Sequence, residues 1–439
     1  MKRFRLAVLF IALSIGLLAC KTGSVNLFKA ASPHEQYQRK LVNAGLDKTA
    51  MGAAWINAAV LSMQKALSIN LPHLESGYFA ADKIPASAYK FTATKGQKLI
   101  ISLSRKPLDA ATLYVDMWHL PASNNPKLVA SADTLNNAIQ YDIDETGNYL
   151  IRLQPQLLQS VQYTLEITTG PSLSFPTSSK KSSSIQSYWG DGRDNNARKH
   201  EGVDIFGGFR SPVLAIADGT VTRVNENNLG GKVVWLRPKG KDYTIYYAHL
   251  DEQIATAGQD VKIGDTIGLM GNTGNARSTP THLHFGIYTL GGAINPLPFI
   301  DPVTKTPAKI LAPLGNLNKT LRTAAGTRML EKPDQKSPVL QTLAAGTILN
   351  INAATGNYYS AALPDGSIGF VQSTSLNSVE KPLRKIKVST AQQMVYDKPD
   401  TNAAVKSSLA AGQTVNVLGS FGNYQLINDE NSQIGWIVK

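Results

Sequence analysis

The chain has 439 residues, 43% hydrophobic, with one cysteine and a formal charge of +13. That length predicts three or four domains with proper cores, and a single cysteine excludes an intramolecular disulfide. The charge is +10 without Lys2, Arg3 and Arg5, and Lys+Arg minus Asp+Glu is then 14−11 over residues 21–170, 13−11 over 171–300 and 14−9 over 301–439, a spread too thin for a nucleic-acid binder, which would concentrate its cations in one patch.

Met1-Lys-Arg-Phe-Arg5 carries three cations and precedes an apolar run from Leu6 to Leu18. The run is too short to span a bilayer and has the form of a secretory signal core. It ends in Leu17-Leu-Ala-Cys20, which resembles a bacterial lipoprotein box. The resemblance implies a signal peptide over residues 1–19 and Cys20 as the lipidated first residue of an exported chain, anchored to a bacterial membrane and facing the cell envelope. An ordinary signal with an incidental cysteine is the plainer alternative. Residues 20–33 are expected to be a tether, and no other apolar run is long enough for a transmembrane helix.

From His34 to Ile69 the apolar residues Tyr37, Leu41, Leu46, Trp55, Ile56, Val60, Met63 and Leu67 recur every three or four positions. That period predicts a packing helix or pair, closed by Pro72, within a helical segment over 34–76. Residues 77–170 read as strands at 88–91, 98–103, 111–117, 138–141, 148–153 and 163–168, separated by turn-rich stretches. Short strands with regular turns predict a β-sandwich, similar to the jelly-roll-like domains that flank secreted bacterial peptidases. His119, His34 and His73 have no partner in a motif and are expected to be packed or surface histidines. The polar run Thr177-Ser-Ser-Lys-Lys-Ser-Ser-Ser184 reads as an exposed linker or a lid.

Four of the seven histidines, His200, His249, His282 and His284, fall within about a hundred residues, each in a short motif. A catalytic zinc takes three protein ligands of the His/Asp/Glu type and keeps one open position. His200 and Asp204 offer a nitrogen and an oxygen. His282-Leu-His284 reads as strand, because Leu283, Phe285 and Ile287 alternate with His282, His284 and Gly286, so both rings look to one face. His249 ends a second β-rich run, Tyr243 to His249, and can reach that face from a neighbouring strand; Lys232–Arg237 is expected to pair with this run across Pro238-Lys-Gly240. Tyr246 is a candidate groove residue, although an aromatic in a strand more often packs. His200-Glu201 superficially suggests the H-E-x-x-H helix, but the fifth residue is Asp204 and Gly202 interrupts, so Glu201 receives no catalytic role.

His200-x-x-x-Asp204, Tyr247-Ala-His249-Leu and His282-x-His284 followed by Phe285-Gly286 resemble the lysostaphin/LytM-type zinc metallopeptidases, which cut peptidoglycan cross-bridges. The likeness runs over about 171–300 and takes in Gly190-Asp-Gly-Arg193, Ser211 to Val221 and the Gly-rich Gly264 to Gly274. It implies a β-sheet peptidase domain, one Zn2+ held by His200, Asp204 and His284, and His249 and His282 as an unliganded catalytic pair. His282 would be the base and His249 would stabilise the oxyanion or relay the proton, with the two roles exchangeable. Pro280-Thr281 stands where Gly-Pro is more usual, a departure in the loop entering the strand.

After a linker over 301–319, Lys332-Pro-Asp334, Leu343-Ala-Ala-Gly346, Gly356-Asn-Tyr358 and Ile368-Gly-Phe370 recur at 398–400, 409–412, 422–424 and 434–436, each offset by 66 residues. The repeat predicts two like units, over 320–379 and 384–439. Each resembles a bacterial SH3-like barrel, which implies either binding of peptidoglycan peptides or packing against the peptidase domain. The whole chain is therefore expected to be mainly β and multi-domain: a helical segment, a β-sandwich, a LytM-type peptidase domain and two small SH3-like barrels. The expected function is zinc-dependent endopeptidase action on peptidoglycan. A non-catalytic wall-binding scaffold or amidase activator, and a peptidase acting on proteins, are the alternatives. The sequence does not fix the oligomeric state.

Overall fold

The computed structural model describes residues 31–106, 111–123, 125–132, 138–193 and 195–439. The export segment and Cys20 lie outside them. Among the described residues no helix is long and apolar enough to cross a membrane.

Helices Pro33–Asn43 and Ala50–Gln64 come first. Ser32 caps the first by accepting the Glu35 amide, with Pro33 at the start where its missing N–H costs nothing; Thr49 caps the second through the Gly52 amide. The helical pattern stops earlier than the apolar spacing predicts. Leu67–Ser68 is instead a short strand, parallel to Tyr89–Lys90, because that edge of the sheet is open to pairing. His73–Phe79 also departs from the expected helical segment and is a strand.

Two sheets enclose the first core. One runs Leu67–Ser68, Ser87–Ala93, Gly147–Pro155, Leu113–Leu120, Lys127–Ser131; the other includes His73–Phe79, Val161–Pro171, Gln97–Lys106 and Ala138–Asp142. Leu99, Ile101, Met117, Ile151 and Leu165 fill the space between them. The helices dock on the outer face of the first sheet. There His34 stacks on Trp55 at 4.6 Å and bonds Gln154 at 2.6 Å, and Trp55 donates to the Pro155 carbonyl at 2.8 Å. His34 and His73 thus have partners that their sequence context did not reveal: His73 lies 3.0 Å from the fully buried Glu75, which also accepts from Tyr89 and Tyr163. His119 is buried against Tyr149.

His73–Phe79 pairs on its other side with Ile348–Thr355, joining the sandwich to the first carboxy-terminal unit in one eleven-stranded sheet. Tyr358 and Phe370 of that unit belong to the sandwich core. The second unit repeats the pairing of the first at the same 66-residue offset: 358–362 and 368–372 become 424–428 and 434–438. Its Trp436 packs with Ile348 of the first unit. The sheets are open, and neither closes into the barrel that the sequence suggested. Each unit keeps an apolar core of its own, around Leu349, Ile351 and Val371 in the first and Val395, Val415 and Ile437 in the second, and shares a smaller seam with its neighbour.

A separate core belongs to an antiparallel sheet in the order Ile185–Ser187, Val203–Phe206, His282–Thr289, Thr244–Gln253, Gly231–Pro238, Gly219–Asn227, Asp260–Val261. One face carries Val203, Ile205, Ile245, Tyr247, Leu283, Phe285 and Ile287, all fully buried. The opposite face carries the histidines.

Candidate metal centre

Strand register assembles the cluster. Asp204 faces His284 across one pair, and Ala248 faces His284 across the next. Opposed residues of an antiparallel pair share a face, and so do i and i+2. Asp204, His284 and His282 therefore converge on the side away from the apolar core. His200 precedes its strand on a turn tied down by Gly190-Asp-Gly: its amide donates to the Asp191 carbonyl and its carbonyl accepts the Gly190 amide.

His200 Nε2, Asp204 Oδ1 and His284 Nδ1 form a triangle with edges of 2.9, 3.0 and 3.0 Å. Three lone-pair atoms so close need a proton or a metal ion among them. A tetrahedral zinc site, with bonds near 2.0 Å, has ligand–ligand edges of roughly 3.3 Å. Two imidazoles and a carboxylate make a donor set of the catalytic zinc type, and these residues fit such an ion. Gly202 makes room for the His284 ring, since a Cβ there would lie 2.7 Å from its Cε1 and 2.5 Å from the Phe285 carbonyl oxygen.

The rings are oriented from behind by one device. His200, His249 and His282 each direct Nδ1 at a backbone carbonyl, of Tyr188, Thr273 and Pro280 respectively, at 2.8–2.9 Å. A carbonyl only accepts, so each Nδ1 carries the proton and each Nε2 presents a lone pair. His249 needs a further adjustment. Strict alternation after Tyr246 and Tyr247 would turn it into the apolar core. A bulge opposite Lys232–Val234 and a left-handed backbone, φ 61°, turn it instead to the side of His282, with ring centroids 4.9 Å apart. The carbonyl it uses lies beside Gly274, whose φ is 70°, and a Cβ on Gly274 would come 2.3 Å from the Gly231 amide nitrogen. Only glycine fits that crossing.

Burial pushes the His249 imidazole down to about 4, and the neighbouring His284 and His282 add to the shift. Burial likewise lowers His284. At Asp204 burial acts upward, but the His200 and His284 imidazoles set against the carboxyl outweigh it and hold it well below its usual range. The free Asp204 oxygen is gripped by Arg193 Nη2 at 2.9 Å, and the same nitrogen reaches Ser187 Oγ at 2.5 Å. Arg193 and Ser187 are the participants that sequence reasoning missed; Gly190-Asp-Gly-Arg193 had drawn notice without a role. Because a partner behind a ligand typically contributes ten- to a hundredfold to metal affinity, Arg193→Gln is expected to weaken zinc binding by about that factor, measured by competition with a chromophoric chelator.

The cluster floors a cavity of about 530 Å³, walled by Tyr246, Trp235 and Tyr288 on one side and by Leu229, Asn275 and Thr279 on another. Tyr246, a candidate for either packing or groove, does both: its ring is buried and its hydroxyl meets Asn227. Glu201 also lines the cavity. Among the described residues, none of 177–182 lines it.

Residues 198–296 match the profile of peptidase family M23. The chain thus carries an M23 domain, on a stretch that contains all four clustered histidines. Over 110 residues it is 44% identical to an uncharacterized metalloprotease of Haemophilus influenzae, an alignment covering 25% of this chain and 22% of that protein. It is 36% identical over 127 residues to the L-Ala–D-Glu endopeptidase of Bacillus subtilis (27% and 38%), and 34% identical over 101 residues to the murein hydrolase activator NlpD of Escherichia coli (23% and 26%). The chain therefore spans well under half the length of each of these relatives.

Proposed function

We propose that the chain is a zinc-dependent endopeptidase that hydrolyses peptide cross-links of bacterial peptidoglycan, exported and held to a membrane by a lipid on Cys20. The observation that carries the catalytic reading is the 3 Å triangle of His200 Nε2, Asp204 Oδ1 and His284 Nδ1, with two further imidazoles beside it. His200, Asp204 and His284 would hold the zinc, which when bound supplies a Lewis acid and acidifies water. His282 presents a bare Nε2 beside the triangle, 3.9 Å from Asp204 Oδ1, and accepts the proton of the attacking water there. His249, whose Nε2 is also bare, takes up and returns that proton; of the two roles open to it, relay suits a ring without a proton facing the site. The walls of Tyr246, Trp235 and Tyr288 hold an extended peptide and exclude water from its far side.

A second reading has support in the likeness to NlpD, which is named as a murein hydrolase activator. The complete set of five side chains favours the enzyme. Purified sacculi digested with and without a chelator separate the readings: soluble muropeptides released only without chelator are expected, whereas no release in either sample would leave the activator.

A further inference from the structure

On the other side of the aromatic wall lies a second hollow of about 280 Å³, and Trp235 and Tyr288 line both. Arg223 and Arg237 stand on its floor. The register fixes their side of the sheet. His284, Gly286 and Tyr288 alternate on one strand; Tyr246 faces Gly286, Trp235 faces Tyr246, and Arg223 faces Trp235. Arg237 follows Trp235 by two. All of these side chains therefore share the face that carries His284. Arg223 is three strand spacings from His284 and two residues along, roughly 15 Å away, or about four to five residues of extended peptide.

Both arginines are exposed, and neither makes an ion pair among the described residues. Among the described residues Asp242 is the one acid lining the hollow, so those that line it carry a single net positive charge. The indole N–H of Trp235, on the shared wall, is buried without a partner among the described residues, a cost that an incoming oxygen acceptor removes. We propose that this hollow is a binding subsite for one carboxylate of the substrate peptide, clasped by Arg223 and Arg237. Guanidinium groups present paired donors that match the two oxygens of a carboxylate, and the single net charge suits one anionic group better than a polyanion. The subsite selects peptides bearing a free acid four to five residues from the scissile bond and discriminates against those in which that acid is an amide. It deepens the peptidase reading and rests on it for the identity of the ligand as a wall peptide.

The test uses the full mature chain carrying His282→Ala, loaded with zinc, so that ligand is bound without turnover. Calorimetry compares soluble muropeptides with a free stem carboxylate against their carboxamides. The acid should bind at least tenfold more tightly, and Arg223→Gln/Arg237→Gln should abolish that preference by weakening binding of the acid; Arg223→Lys/Arg237→Lys should restore part of it. Equal affinity for acid and amide, or a preference that survives the Gln/Gln change, overturns the subsite, as does stronger competition from glycerol phosphate than from acetate. Turnover of the same muropeptides by the chain with His282 intact is scored in parallel. Acid-selective binding with no turnover supports the subsite and sinks the peptidase reading; turnover without acid selectivity sinks the subsite alone.

Discussion

His284→Ala should lose zinc and activity together, whereas His282→Ala should keep one zinc per chain and still lose most of its turnover. The two rings are neighbours on one strand and face the same way, but they stand in different relations to the cluster. His284 Nδ1 is a corner of the triangle, 2.9 and 3.0 Å from the other two donor atoms. His282 Nε2 is 3.9 Å from Asp204 Oδ1, near enough to move a proton and outside the triangle. With His284 gone, two donors remain, and two hold a catalytic metal poorly. With His282 gone, the triangle persists and only proton transfer fails, a loss of about 10²- to 10⁴-fold in kcat. Metal content by mass spectrometry alongside kcat decides the matter, and equal zinc loss in both variants would overturn the division of roles.

The largest stability effect is expected far from the site. Arg152 Nη2 meets Asp116 Oδ2 at 2.7 Å beneath the docked helices, both residues buried, with the guanidinium 4.8 Å from the Trp118 ring. Burial raises the Asp116 pKa and lowers that of Arg152 in spite of the partner each has, so desolvation exceeds the attraction. Asp116→Ala leaves a buried cation alone and should destabilise the fold by about 3–5 kcal/mol, read by urea denaturation. Asp116→Leu/Arg152→Met removes both charges and should cost far less, or nothing. A double variant as unstable as the single one would contradict this account and point to the helix-dock contacts, in which Ser32 also reaches Asp116 at 3.3 Å.

The two halves of the triangle were each legible locally, but their convergence, and the choice of His284 over His282 as the third corner, came from the resemblance to the LytM-type peptidases and not from spacing. A period of two puts His282 and His284 on one face, and the His200–Asp204 spacing survives any strand entry that keeps Gly202. His249 was only partly legible. Its run of strand residues is plain, but parity sends it to the wrong face, and nothing in Tyr247-Ala-His249 announces the bulge that corrects it. Arg193 and Ser187 act through space on Asp204 and lie in a turn with no periodicity to read. In the amino-terminal region, Leu67 continued a helical spacing that an open sheet edge overrode. Ser76-Gly77 broke the apolar pattern of a strand that is nonetheless buried, its Glu75 satisfied by His73, Tyr89 and Tyr163 from other strands. The 66-residue repeat was unmistakable, yet the destination of its aromatics was not. Tyr358 and Phe370 went into the sandwich core and Trp436 into the seam between the units, which leaves these three rings engaged in packing.

A zinc-soaked crystal measured at the zinc absorption edge tests the central claim most directly. One anomalous peak within about 2 Å of His200 Nε2, Asp204 Oδ1 and His284 Nδ1 is the predicted result. A folded chain with no peak there, or with its ion held by other side chains, would contradict it.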